Sequence, residues 1–514
     1  MEEIKLMSLI ENCVMHVKEF FNKNRLEVFL ILLIFAFGTF LRFYKISGYA
    51  TFLGDEGRDA FVVKRMIVDH KFTLLGPTTS LGQMYLGPAY YYMMVIPLWL
   101  SGLNPVGPAI MIALFGSFTI LLVWLLGREF FSVWAGLIAS GLYAVSLLVI
   151  NHTRSSWNPN PMPFFASLAF LSLFKSLKDK KGKWLVVVGS SLGIAFQLHY
   201  ISFVLIGTII FIYFFYGLLL KIRFSTKWYL LGIFSFLLMI LPQIAFELRH
   251  NFVNLKSVFN FIVGRKDAEA GLGLKRFFPL TLYKRLFTSL LAQNRILLGN
   301  LLAYFSGLAV GVSLVKSRDF KGKDLGLGIL LLWLILGVLG VPLYEGRIHD
   351  HYLGFLFPVP FLLLGGAVSQ IVKFKKVLKP IFTGLVLALF IFNFLKTDIP
   401  KKVGPNYQIQ RVKLISDTIA NDVSTSNFNI SLTSPTKDFQ ALHYRYFLNL
   451  EGKDPKDYGQ YQDLETLYVI VEVDPRTPEE LGSWEIGTFG PFTLENKWDF
   501  DFQVKLYKLK KRTG

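Results

Sequence analysis

The chain has 514 residues, 53% of them hydrophobic and 16% aromatic, with a formal net charge of +19. A water-soluble domain of this length does not need so much apolar surface, and the class that fits is a polytopic membrane protein. The positive charge does not indicate nucleic acid, because lysine and arginine fall in short blocks between apolar segments, where they orient helices. A single cysteine, Cys13, excludes an internal disulfide framework and any cysteine-based zinc site.

In chain order, residues 1–25 carry charges of both signs, with Ile4, Met7, Ile10, Val14, Val17 and Phe21 at helical spacing. They read as an interfacial helix, not a signal peptide. Apolar segments long enough to cross, or nearly so, follow at 26–43, 85–102, 107–127, 132–150, 160–176, 184–198, 200–220, 228–247, 290–315, 325–344, 352–372 and 378–396. The lysine-rich connectors 175–183, 221–227, 316–324 and 373–379 belong in the cytoplasm with the N-terminus. Five segments precede the first of these blocks, so one must fail to cross. Segment 85–102, with Pro88, Pro97 and a tyrosine triplet, is expected to lie at the interface; the short segment 160–176 is the other candidate. The fold class expected is therefore a helical membrane protein of about eleven crossings.

This scheme gathers four polar stretches on the outer face: the acidic run Phe52 to Ala60, Asn151 to Asn158, the turn Gln197 to Tyr200, and Tyr344 to Tyr352. A long basic segment, Arg249 to about Ser289, joins them and suits an anionic lipid headgroup. Beyond Lys396 the composition becomes that of a soluble domain. Helices at 408–423 and 438–450 and strands at 428–433, 466–473 and 502–509 predict a small α/β domain over 397–514, outside the membrane and beside a membrane domain of 1–396.

In the acidic run, Asp55 and Glu56 lie between Gly54 and Gly57, which permits a sharp turn presenting both carboxylates from a loop. From Arg58 onward, FVVKRMIVDHK reads as an amphipathic helix. Adjacent carboxylates split their pKa values, which suits one of them to act as a general base. The structural alternative is a helix cap supplied by Asp55 or Glu56.

The order of an acidic pair after the first span, an amphipathic helix, Gly87-Pro-Ala-Tyr-Tyr-Tyr92, and then Arg154 to Asn158 resembles the GT-C glycosyltransferases. Within them it is similar to the glycosyltransferase 39 type, the protein O-mannosyltransferases and the lipid A aminoarabinose transferase. The resemblance implies transfer of a sugar from a polyprenyl phosphate carrier to an acceptor hydroxyl on protein, lipid or glycan at the outer face of the membrane. It makes Asp55 the catalytic acid or base, Glu56 its neighbour, and Tyr90 and Tyr91 part of the interfacial helix. Two departures stand out: Asn158 occupies the place of a second outer aspartate that would help hold a divalent metal, and Gln197-Leu-His199-Tyr200 replaces a Thr-Lys turn.

An inverting transfer needs a carboxylate to take the hydroxyl proton and cations to hold the leaving phosphate. Arg347 is the first candidate cation, with His349, His351 and Tyr352 adding donors, and Arg58, Arg154, Asn158 and His199 completing the substrate-binding set. The rival classes are a transporter or flippase of lipid-linked glycans, and a glycan polymerase or ligase. A transporter predicts matching halves and broken helices at mid-membrane, whereas the polar clusters here lie at one face. The topology predicts that Ser155→Cys and Ser483→Cys react with an impermeant thiol reagent in intact cells while Lys180→Cys does not; protection at 155 with labelling at 180 overturns it.

Overall fold

The computed structural model describes residues 24–79, 84–263, 279–316, 324–344 and 348–512. The expected interfacial helix within residues 1–25, almost all of it, lies outside these residues. Within them, every apolar segment becomes helix. Arg25–Phe43, Ala89–Leu100, Val106–Phe130, Met162–Asp179, Trp184–Leu198, Ser202–Leu219, Ile296–Lys316, Leu325–Gly340 and Lys379–Phe394 are single helices. Three segments are broken: at Ser146, between Val133–Val145 and Leu147–His152; at Ile240, ahead of Pro242, with a bend of 66°; and before Pro358, with a bend of 48°. Prolines one or two residues beyond a break explain the last two, since the ring removes an amide donor and crowds the preceding turn.

The protein is a multi-pass membrane protein. Among the described residues six helices are long and apolar enough to cross, or eight when each bent pair is one span. Eight is three fewer than eleven: Val133–Val145 and Trp184–Leu198 are short apolar helices, and Met162–Asp179, 18 residues long, is too polar at its end to be counted by length and composition. Ala89–Leu100 has 12 residues, so it reaches only about 18 Å against a hydrocarbon core of about 30 Å. It buries Tyr90, Tyr91, Met94 and Leu98 and exposes Ile96, Trp99 and Leu100. Arg128 Nε pairs with Glu27 Oε1 at 2.7 Å, and Lys175 and Lys178 hold Glu129 at 2.6 and 2.7 Å. The start of the first long helix, the end of Val106–Phe130 and the end of Met162–Asp179 therefore share one face, the arrangement expected when 160–176 crosses and 85–102 does not.

The acidic run is not a loop. Its helix spans Gly54–Val68 and begins four residues before Arg58, so Asp55 and Glu56 stand in the first turn. Acidic side chains there complement the positive end of the helix dipole. The Leu53 amide donates to Glu56 Oε2 at 3.2 Å, Ala60, Val63 and Met66 form the buried stripe, and a left-handed His70 ends the helix. Gly54 and Gly57 are inside the helix, without positive φ, and their function is close approach. A Cβ on Gly54 would lie 2.5 Å from Asp438 Cγ, and one on Gly57 would lie 2.6 Å from His443 Cα.

Those neighbours belong to the C-terminal α/β region. Its sheet has the order β1-β2-β4-β3, with β1 (Phe428–Thr433) parallel to β2 (Thr466–Glu472), and β4 (Val504–Lys511) antiparallel to both β2 and β3 (Phe492–Phe500). Helices Gln408–Asp422 and Leu442–Leu450 fall within the expected 408–423 and 438–450. Strand β3 was not expected: its sequence, FTLENKWDF, is largely exposed at a sheet edge, so it lacks the alternation that marks a half-buried strand.

This region is welded to the membrane helices. Ile46, Ala50, Phe52, Ala60, Ala109 and Ala113 share one apolar core with Ile409, Val412, Tyr446 and Phe447. Phe52 meets the rings of Tyr446 and Phe447 edge-on at 5.8 and 5.6 Å, and the Phe52 amide donates to Gln408 Oε1 at 3.1 Å. Full burial of one such aromatic contributes roughly 2–3 kcal/mol. Since backbone faces Gly57, Gly57→Ala is expected to lower stability by about 1–3 kcal/mol and to speed proteolysis between residues 397 and 408. Gly207, whose Cβ would meet nothing within 4 Å, supplies the control, and equal behaviour of Gly57→Ala and Gly207→Ala in melting and proteolysis would refute the close-packing reading.

Candidate active site

Where the acidic helix, the 151–160 loop and the C-terminal region meet lies a cavity of about 590 Å³. Thr51, Asp55, Glu56 and Arg58 line one wall, Asn151, His152, Ser155, Trp157 and Asn160 another, and Thr436, Asp438, Gln440 and Leu442 a third.

The two adjacent carboxylates have different surroundings. Asp55 keeps 51% of its side chain exposed; Arg58 Nη1 donates to its Oδ1 at 2.8 Å and the Trp157 indole N–H to its Oδ2 at 3.2 Å. Glu56 is buried and accepts from the Leu53 amide and, at 3.1 Å, from the Thr51 hydroxyl. Glu56 thus supplies the capping arm and Asp55 does not. Burial pushes the Glu56 carboxyl up to about 7, ahead of the opposing backbone bonds and with the Asp55 charge adding to the rise.

A third carboxylate, Asp59, was not singled out in the sequence. It is wholly buried and accepts at Oδ1 from Arg58 Nε and Nη2, at 2.9 and 2.8 Å, and from the Tyr91 hydroxyl at 3.1 Å. Burial raises it to about 6 despite the opposing guanidinium. Arg58 is therefore clamped between Asp55 and Asp59, and its direction toward the cavity is fixed by a buried anion. The sequence clue was present, since Asp59 lies four residues after Asp55 on one helix face.

Trp157 extends the site. Its ring lies 4.3 Å from that of His351, which in turn lies 4.6 Å from Tyr352, 5.6 Å from His349 and 5.6 Å from His199. The structure thus brings together Asp55, Arg58, His199, His349, His351 and Tyr352 across residues far apart in the chain. His199 is neutral at physiological pH, because burial drives it down to about 3; it can offer a hydrogen bond but not a charge. Arg285, in the basic 249–289 stretch, donates to Ile348 O at 3.0 Å and Asp350 Oδ1 at 2.5 Å, which places a guanidinium beside His349. Arg347 lies outside the described residues.

The remaining candidates hold the scaffold. Arg154 is buried, pairs with Asp398, donates to Leu41 O at 2.6 Å and covers the Tyr49 ring, so it ties the 151–160 loop to the first helix. Asn158 Nδ2 donates to Leu198 O at 2.6 Å, the Tyr90 hydroxyl bonds Ser156 Oγ at 2.7 Å, and Tyr91 serves Asp59. Asn158 donates from its Nδ2 to the backbone, and among the described residues no three His, Cys, Asp or Glu side chains converge as a ligand set.

Residues 86–246 match the family described as dolichyl-phosphate-mannose-protein mannosyltransferase. No curated protein matches the chain by sequence. Among solved structures, ArnT from Cupriavidus metallidurans bound to undecaprenyl phosphate matches with a TM-score of 0.59 at 12% identity, over 93% of this chain and 97% of that one. The oligosaccharyltransferase AglB from Archaeoglobus fulgidus, in complex with an inhibitory peptide and a dolichol-phosphate, matches at 0.55 and 12%, over 88% of this chain and 70% of that one. At such identity the likeness establishes the fold, which is that of the GT-C glycosyltransferases.

The Glu56 assignment has a pH signature. A carboxyl held near 7 in the folded state and at 4.5 when unfolded keeps its proton in the folded chain while the unfolded chain ionises. Stability therefore declines as pH rises through that window, by roughly 3 kcal/mol in total. Glu56→Gln keeps the cap and removes the ionisation, so its melting advantage over wild type should widen from pH 5 to pH 8. An advantage that is constant with pH, or that shrinks, would contradict the assignment.

Proposed function

We propose that this chain, a membrane glycosyltransferase of the GT-C fold, moves a sugar from a polyprenyl phosphate carrier to an acceptor hydroxyl at the outer face of the membrane, with inversion. The observation that carries the reading is Asp55: a cavity-facing carboxylate, oriented by Arg58 and Trp157, with the histidine cluster immediately behind Trp157. In this scheme the N-terminus is cytoplasmic, residues 1–396 form the membrane catalytic domain and residues 397–514 lie outside.

The acceptor oxygen attacks the anomeric carbon and gives up its proton to Asp55. The bond from that carbon to the phosphate oxygen breaks on the opposite side, and its electron pair leaves with the lipid phosphate. Asp55 suits the base because each oxygen receives one hydrogen bond and half the side chain is exposed, leaving lone pairs for a proton. Arg58 keeps Asp55 directed, and the buried Asp59 anchors Arg58 in turn. Glu56 is a support, not a second base, since its oxygens are already engaged. His349, His351 and Tyr352 offer donors to the leaving phosphate, and Arg285 supplies the cation behind them.

Asp55→Asn separates this role from a structural one. Asparagine retains the hydrogen bond from Trp157 and has little effect on helix stability, but its amide has no basic lone pair, so turnover should fall by roughly a hundredfold or more. Sugar transfer, melting temperature and affinity for the lipid donor are measured together. Lost transfer with normal stability and donor binding is the expected result, and near-normal transfer would remove Asp55 from the chemistry.

A further inference from the structure

The third wall of the cavity comes from a part of the chain nearly four hundred residues after Asp55. Thr436, Asp438 and Gln440, on the connection between β1 and helix Leu442–Leu450, and Leu442 at the start of that helix share the cavity with Asp55 and Glu56. Asp438 is set in place by two features. Its carboxylate occupies the space left by the missing side chain of Gly54, and its Oδ2 lies 3.2 Å from Nδ1 of His443. His443 itself is 1% exposed, packed edge-on to Phe52, and neither of its ring nitrogens has a well-formed hydrogen bond within the protein. Asp438 Oδ2 is in the same condition. Buried polar atoms normally find partners; Oδ2 faces Gly54 and His443, and it is the rest of the carboxylate, on a side chain 19% exposed, that can accept from a molecule in the cavity.

The charges around the cavity say what kind of donor. Asp55 and Asp438 line it, beside a Glu56 that keeps its proton up to about pH 7, against a single guanidinium, Arg58, which two carboxylates already hold. The remaining polar lining is hydroxyl and amide, from Thr51, Thr78, Asn151, Ser155, Asn160, Thr436 and Gln440, with the imidazole of His152, which burial holds neutral. A phosphate or carboxylate at the reacting end of the acceptor would enter against like charge, which disfavours it strongly at short range. Neutral hydroxyls meet acceptors on every wall, and the Trp157 ring offers an apolar face beside them.

We propose that the acceptor is a neutral saccharide, and that Asp438, positioned by His443, selects it by accepting a hydrogen bond from a hydroxyl next to the one that reacts. This rests on the glycosyltransferase reading and adds to it the chemistry of the second substrate and a specificity role for the C-terminal region. In transfer, the attacking hydroxyl loses its proton to Asp55 as before; Asp438 takes no proton and holds the neighbouring hydroxyl, so it acts on acceptor binding.

The test uses the full-length protein and a polyprenyl phosphate sugar that it consumes slowly in water alone, with free polyprenyl phosphate as the readout. Neutral oligosaccharides, the same oligosaccharides carrying a phosphate, and serine- or threonine-containing peptides are then offered as acceptors. A neutral oligosaccharide should accelerate release, and Asp438→Asn should raise its KM about tenfold or more, the effect of losing a hydrogen bond to a charged group, with a larger change in KM than in kcat. His443→Gln should move the same KM in the same direction. Preference for the phosphorylated oligosaccharide or for a peptide, no acceleration by any neutral saccharide, or an unmoved KM in Asp438→Asn would each overturn the proposal. Failure of wild type to consume any polyprenyl phosphate sugar would instead refute the glycosyltransferase reading, so the two failures are told apart.

Discussion

Carboxylates are costly to bury, and the helix Gly54–Val68 buries two of its first three. Asp59 is sealed inside and Glu56 nearly so, while Asp55, between them and the cavity, stays in reach of solvent. Each buried group has its own compensation: a guanidinium and a tyrosine hydroxyl for Asp59, a backbone amide and a threonine hydroxyl for Glu56. The compensating groups come from the same helix, from the residues just before it and from Ala89–Leu100. The position of the interfacial helix is thus coupled to the electrostatics of the acidic one. Arg58 transmits that coupling to the cavity, because a cation fixed by a buried anion cannot swing away from Asp55.

The same helix is also the docking platform of the C-terminal region. Two glycines in one turn remove the side chains that would hold the two bodies apart, and Phe52 plugs into the aromatic face of Leu442–Leu450. The apolar core runs through the junction without a break, which sets this contact apart from the loose, polar interfaces common between domains. A cavity with one wall on each body follows from this geometry. Chemistry on the membrane side and selection on the C-terminal side can then act on one substrate in one space.

Much of this was legible in the sequence. Apolar length located the helices, and proline positions accounted for two of the three breaks. Apolar runs marked β1 and β2, which are buried along their length, alternation marked β4, and β3, on an exposed edge, carries neither pattern. The polar stretches expected on one face do meet: Trp157, from the second of them, joins Asp55 to His351. Residue type could not tell Asp55 from Glu56, since both are acidic neighbours; which one caps was decided by the direction of the chain entering the helix at Leu53. Gly54 and Gly57 were read as turn formers because glycine serves both turns and close approach, and only the partner backbone distinguishes these. Arg154 and Asn158 also brace the loop, a role that residue type could not show because the atoms they hold, Leu41 O, Asp398 and Leu198 O, are distant in sequence. For the same reason nothing local announced Asp438 as a neighbour of Asp55.

The central claim is that this arrangement cleaves the bond between a sugar and a lipid phosphate, and it can be put to the purified full-length protein in detergent or nanodiscs. A panel of polyprenyl phosphate sugars is supplied, and free polyprenyl phosphate is quantified over time against a matched sample of heat-inactivated protein. The account predicts release from at least one member of the panel, with the sugar recovered in the opposite anomeric configuration. No release from any member, or release with the configuration retained, would contradict it.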